Sequence, residues 1–185
     1  MAQPVKLYLI RHGHASAGFA EARDPGLDNI GRAQAEAIAK ELGPLGPLPL
    51  VTSPLRRARE TAVPFEALWG VKARVEPGVA EIPSPTEDLQ ARATWLRQVM
   101  RGRWVDLPAA YQAWRDRVAA SLIAIRTTTV VISHFVAINA AVSVATGDDR
   151  MICFEPDYCS CTVLELVGGA LRVIELGRQR ETRIL

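Results

Sequence analysis

Hydrophobic and polar positions follow two periods along the chain, and the changeovers between them mark its elements. Val5 to Ile10 is apolar and rich in β-formers, which predicts a buried strand. It stops on Arg11-His12-Gly13, where glycine lets the backbone turn sharply. Asp28 is placed to cap a helix running to about Leu42, with Ile30, Ala33, Ala37 and Ile38 on its inner side; Gly43-Pro44 ends it. Leu50 to Thr52 reads as a short strand. Ser53 then caps a helix with Pro54 at its first position, and Pro64 is expected to kink or interrupt it. Lys72 to Val75 predicts a third strand, and Pro77 to Pro85 a loop containing Glu81.

Thr86 is expected to cap a helix reaching about Met100, with Leu89, Ala93, Leu96 and Met100 as its apolar stripe. A second helix, from about Pro108 to Ile125, would bury Tyr111, Trp114, Val118, Leu122 and Ile125. With Trp95 and Trp104, these two helices are expected to pack as a pair on the sheet. Thr128 to Ser133 is β-branched and apolar, a fully buried strand ending in His134, and a helix follows from about Phe135 to Thr146. Ser160 to Val167 and Leu171 to Leu176 flank Gly168-Gly169, which predicts a hairpin. The tail, 178–185, has no clear pattern. Strands alternating with helices imply an α/β fold, a three-layer α/β/α sandwich with a mostly parallel sheet and the hairpin at an antiparallel edge.

Composition narrows the function without choosing it. The 185 residues are expected to form one domain, 1–185, with 82–126 as a helical insertion or lid. A hydrophobic share of 49% and a charged share of 23% are those of an ordinary globular protein. A net charge of +2 argues for neither nucleic acid nor membrane as a partner. No apolar run approaches a membrane span and no signal peptide is visible, so a cytoplasmic protein, monomer or dimer, is the expectation. Cys153, Cys159 and Cys161 read as reduced buried thiols, with Cys159 and Cys161 two apart on one strand.

Arg11-His12, Arg57 and His134 each follow a predicted strand. In a parallel sheet those strand ends lie on one side, so two cations and two imidazoles would converge there. Such a set suits a dianion, and phosphate is the natural guest. An imidazole in that site is able to attack phosphorus, while fixed positive charge stabilises the transferring phosphoryl group without a metal or other cofactor.

The order and spacing of these motifs resemble the histidine phosphatases, the phosphoglycerate mutase-like superfamily. The resemblance rests on Arg11-His12-Gly13 after an apolar strand, the run from Ser53 to Ala62, Val79-Ala80-Glu81, and Ser133-His134. Leu27 to Ala35 is similar to the family's first helix. The resemblance implies that His12 becomes phosphohistidine, that Arg11, Arg57 and His134 hold the phosphoryl oxygens, and that Glu81 protonates the leaving oxygen and then activates water. Glu81 should then have a raised pKa; without the resemblance it reads equally as a loop carboxylate. Arg56 and Arg59 would be solvated charges.

The chain also departs from the family pattern. Phe135 stands where the family usually has glycine, adding bulk beside the phosphate and narrowing the substrate range. His14 stands where many members carry glutamate, and it is either a substrate contact or a surface imidazole. Gly18 occupies the position of the mutase branch's asparagine, which favours hydrolysis. The expected activity is therefore a metal-independent phosphatase acting on a small phosphorylated substrate or a phosphoprotein. The alternatives are a mutase and a non-catalytic module that binds a phosphorylated ligand. A metal hydrolase using His12, His14, His134 and Glu81 would leave Arg11 and Arg57 without a purpose. Arg92, Arg97, Arg101 and Arg103 would either meet an anionic substrate or form a solvated helix face.

Overall fold

The computed structural model describes residues 4–180. Six strands form one sheet: β1 (Val5–Arg11), β2 (Leu50–Thr52), β3 (Arg74–Val75), β4 (Thr129–Ser133), β5 (Cys161–Val167) and β6 (Ala170–Glu175). Their spatial order is β3-β2-β4-β1-β5-β6. The first four are mutually parallel, while β5 runs antiparallel to β1 and β6 antiparallel to β5. Gly168 and Gly169, both at positive φ, make the tight turn of that hairpin.

Five α-helices connect and cover the strands: α1 (Asn29–Leu42), α2 (Arg56–Trp69), α3 (Leu89–Val99), α4 (Ala109–Ile123) and α5 (Phe135–Thr146). Alternate strand residues feed two separate cores. Leu7, Leu9, Val51 and Val131 pack with Val118, Leu122 and Ile138 of α4 and α5. Ile10, Leu50, Val130 and Ile132 pack with Ile38 of α1 and Phe65 of α2. This is the three-layer arrangement expected from the alternation.

Several local expectations are corrected. Gly31, Ala35, Ile38 and Ala39 form the buried face of α1, whereas Ile30, Ala33 and Ala37 are exposed. A glycine and an alanine face inward because α1 crosses close to the backbone after β1. α2 begins two residues later than Pro54 predicts. Its first N–H, on Arg56, is capped from a distant loop by Asp24 Oδ1 at 2.8 Å, while Ser53 Oγ accepts from Leu55 N. Pro64 does not interrupt the helix. The lost bond to the Glu60 carbonyl is outweighed by Ala58, Ala62 and Phe65, all buried on one side.

β3 is only two residues long. α3 is capped by Asp88, which accepts from Ala91 N at 2.7 Å, and not by Thr86. It buries no residue fully and touches α4 through Trp95 and Tyr111, ring centroids 5.3 Å apart. α4 buries Trp114, Val118 and Leu122 in the core, whereas α3 only leans on its edge through the partly buried Trp95, Leu96 and Val99, so the two do not form an equal pair on the sheet. Cys159 precedes β5 at φ 51 and does not share a strand with Cys161.

One close crossing fixes the turn after β1. A Cβ on Gly13 would lie 2.6 Å from the Gly31 carbonyl oxygen, and one on Gly31 would lie 2.1 Å from the His14 carbonyl oxygen. Neither backbone has room to retreat. Gly31→Ala is therefore expected to cost about 1–3 kcal/mol, as overpacking does. Urea unfolding would read this as a lower midpoint at constant slope, and an unchanged midpoint would contradict the crossing.

Candidate active site

Adjacent parallel strands bring the expected residues together. β2, β4 and β1 are neighbours, so their carboxyl ends place Ser53, His134 and Arg11-His12 side by side. The backbone bonds continue past the strand ends: His12 N donates to Ser133 O and Ser53 N to Ile132 O, both at 3.0 Å. Gly13 N donates to Thr61 Oγ1 at 3.0 Å, which ties the turn to α2. Arg57, one turn before Thr61, is thereby aimed at His12.

The imidazole of His12 is buried and fixed at both nitrogens. Its Nδ1 lies 2.8 Å from the Gly13 carbonyl, so Nδ1 carries the proton. Its Nε2 accepts from Arg57 Nε at 3.1 Å and so bears the lone pair. Burial first, then the charges of Arg57 and Arg11, hold its pKa well below the ordinary 6.5, and the ring stays neutral.

His134 lies beneath, with ring centroids 5.1 Å apart. Its Nε2 is 2.7 Å from Ser53 Oγ. That hydroxyl already accepts from Leu55 N, and Nε2 is the acceptor for its buried proton. Nδ1 of His134 then carries the ring hydrogen, and it finds no hydrogen-bond partner among the described residues. Burial, followed by His12 and the two arginines, lowers the His134 pKa well below 6.5.

Arg11 is held by the chain before β5. One terminal nitrogen donates to Pro156 O at 2.9 Å, and the guanidinium lies over the Tyr158 ring, 3.8 Å from its centroid. Its Nε is buried and finds no partner among the described residues. Phe135, the residue in the usual glycine position, flanks the same guanidinium with its ring centroid at 5.0 Å.

Glu81 sits against the N-terminus of α5. Its Oε1 accepts from Ile82 N at 3.0 Å and Ala137 N at 3.1 Å; its Oε2 accepts from Val136 N alone, at 3.1 Å. Burial raises its pKa above the ordinary 4.5, opposed by those backbone donors and by Arg57.

Arg11, His12, Arg57, Glu81 and Phe135 all line one cavity of about 230 Å³. Neither His134, fully buried beneath His12, nor His14 lines it: the His14 Nδ1 is 2.6 Å from Asp28 Oδ2, at the cap of α1. No group of three metal-ligating side chains gathers among the described residues. Arg56 is exposed and pairs with Glu60, and Arg59 is exposed. Arg103 pairs with Asp149, whereas the guanidinium of Arg92 lies 4.3 Å from the Phe19 ring centroid.

Residues 7–179 match the sequence profile of the histidine phosphatase superfamily, branch 1. The chain belongs to that superfamily. Among curated proteins it is similar to the glucosyl-3-phosphoglycerate phosphatase of Mycobacterium tuberculosis strain H37Rv, 32% identical over 124 residues, covering 60% of this chain and 48% of that protein. The chain thus spans about half the length of that relative. The fold matches solved mycobacterial glucosyl-3-phosphoglycerate phosphatase in complex with VO3, with TM-score 0.74 and 22% identity over 93% of this chain and 98% of that one. It also matches phosphoserine phosphatase of Entamoeba histolytica in complex with 3-phosphoglyceric acid, with TM-score 0.72 and 20% identity over 95% and 98%.

Reading the motifs missed Tyr158, Phe19, Arg23 and Arg180, all of which line the cavity. A usable signal existed for Tyr158. A strand antiparallel to β1 starts where β1 ends, so residues just before the predicted hairpin had to lie on the site's side of the sheet. The segment 15–25 carries no such periodicity.

Proposed function

We propose that this chain hydrolyses phosphomonoesters through a phosphohistidine on His12, without a metal ion. The observation that carries the reading is the state of that imidazole: neutral, proton-bearing at Nδ1, with Nε2 facing two guanidinium groups. Arg57 Nε–H shifts from the ring nitrogen to a phosphoryl oxygen, which its planar fork permits and which frees the lone pair. Arg11 Nε and His134 Nδ1, buried donors without partners among the described residues, supply further hydrogen bonds to the phosphoryl oxygens.

The Nε2 lone pair forms the N–P bond as the ester P–O bond breaks. Glu81 gives its proton to the leaving oxygen. The carboxylate then takes a proton from water, whose oxygen attacks phosphorus and breaks the N–P bond, restoring neutral His12 and protonated Glu81. Oε2, with a single backbone donor, has the lone pair that carries this proton. The glucosyl-3-phosphoglycerate phosphatase and phosphoserine phosphatase that the chain resembles are phosphatases by name, which supports hydrolysis over mutase chemistry.

Turnover of para-nitrophenyl phosphate in excess chelator, quenched into base, tests the reading. The expected result is full activity and a phosphorylated peptide containing His12. Activity that needs an added metal, or phosphate found on another residue, would overturn it.

A further inference from the structure

We infer that the site selects phosphomonoesters with a compact, apolar leaving group, aromatic by preference, over polyhydroxylated ones. This rests on the phosphatase reading above. The inner end of the cavity is the charged cradle of Arg11, His12, Arg57 and Glu81. Outward, the wall changes character. Phe19, Leu96, Met100, Phe135, Val136 and the ring of Tyr158 surround the space where the esterified group must lie. Small residues, Ala15, Ala17 and Ala22, complete it.

Among the described residues, the wall's side-chain hydrogen-bonding groups beyond the cradle are the Tyr158 hydroxyl and two guanidinium groups, Arg23 and Arg180, with no amide, serine, threonine or aspartate side chain. Arg23 is already engaged by Glu87, and Arg180 lies over the Tyr158 ring at 5.4 Å. Guanidinium donates and never accepts. A sugar's several hydroxyls, each bringing a proton to donate, would meet the Tyr158 hydroxyl as the one side-chain acceptor of the described wall and surrender more water bonds than they regain. An aromatic ring would meet apolar carbon on several sides.

The two halves of the wall, residues 15–25 and 82–100, meet through the exposed Arg23–Glu87 ion pair and through Arg92, lying 4.3 Å from the Phe19 centroid. Some 230 Å³ has to hold both phosphate and leaving group, which limits the latter to about one ring.

The test uses non-hydrolysable phosphonates, so that intrinsic leaving-group reactivity plays no part. Calorimetric titration of the full chain would compare benzylphosphonate with 2,3-dihydroxypropylphosphonate, and methylphosphonate would report the cradle alone. Benzylphosphonate is expected to bind about tenfold or more tightly than the dihydroxypropyl compound. Phe19→Ala and Leu96→Ser should each shrink that ratio and leave methylphosphonate binding unchanged. Equal or reversed affinities in the wild type would overturn the selectivity while His12-dependent hydrolysis left the phosphatase reading standing. A ratio that survives both substitutions would overturn the wall as its source. Failure to bind methylphosphonate would overturn the cradle, and both readings with it.

Discussion

His12→Ala is expected to abolish turnover, lowering kcat by about 10⁴-fold or more, because no second group in the cavity can form the covalent intermediate. His134 lies in ring contact with His12 but cannot take over. Its Nε2 is committed to Ser53, and its Nδ1 bears a proton. Nor is a cysteine available, since burial pushes Cys159 and Cys161 up to about 12 and both pack in the core beneath α1 and α2. The variant should still bind methylphosphonate, because Arg11 keeps Pro156 and Tyr158, His134 keeps Ser53, and Arg57, released from His12, keeps its ion pair with Asp24. Steady-state kinetics with a binding titration would separate the two effects. Residual activity above about a hundredth of wild type would point to direct attack by water and remove the phosphohistidine from the scheme.

The cradle was legible in the sequence because it depends on strand ends. Once β1, β2 and β4 are read as parallel strands, Arg11-His12, Arg57 and His134 must emerge on one side, whatever the sheet order. Glu81 was legible only through its resemblance to a family motif. Its place comes from the N-terminus of α5, whose free N–H groups at Val136 and Ala137 draw in a carboxylate from a loop more than fifty residues earlier. No local period encodes that pairing. The same limit explains the misread face of α1, where Ile30 looks like core and is exposed while Gly31 is buried. Close backbone crossing decided the face there, and hydrophobicity did not. Phe135 flanks the Arg11 guanidinium on the cavity wall. That it completes an apolar wall with Phe19 and Leu96 follows only from the tertiary arrangement of three distant segments.

Glu81→Gln should lower kcat/KM, which reports formation of the phosphohistidine, by about 10²–10⁴-fold for alkyl phosphates, whose leaving oxygen needs a proton, and much less for para-nitrophenyl phosphate, whose leaving group departs as an anion. The amide keeps the shape of the side chain but can neither donate the acid proton nor deprotonate water. The pH profile gives the second readout, and its sign follows from the two shifts. Glu81 must be protonated for the first step, and burial raises its pKa above 4.5, so kcat/KM falls as pH rises through that raised value. His12 must be neutral, and its pKa lies well below 6.5, so the acid limb appears only well below pH 6.5. In Glu81→Gln the alkaline limb should disappear for alkyl phosphates while the acid limb stays, because the groups that depress His12 are untouched. An alkaline limb that persists in the variant would assign the proton to another group. A loss of kcat/KM equal for alkyl and nitrophenyl esters would mean that Glu81 gives no proton to the leaving oxygen.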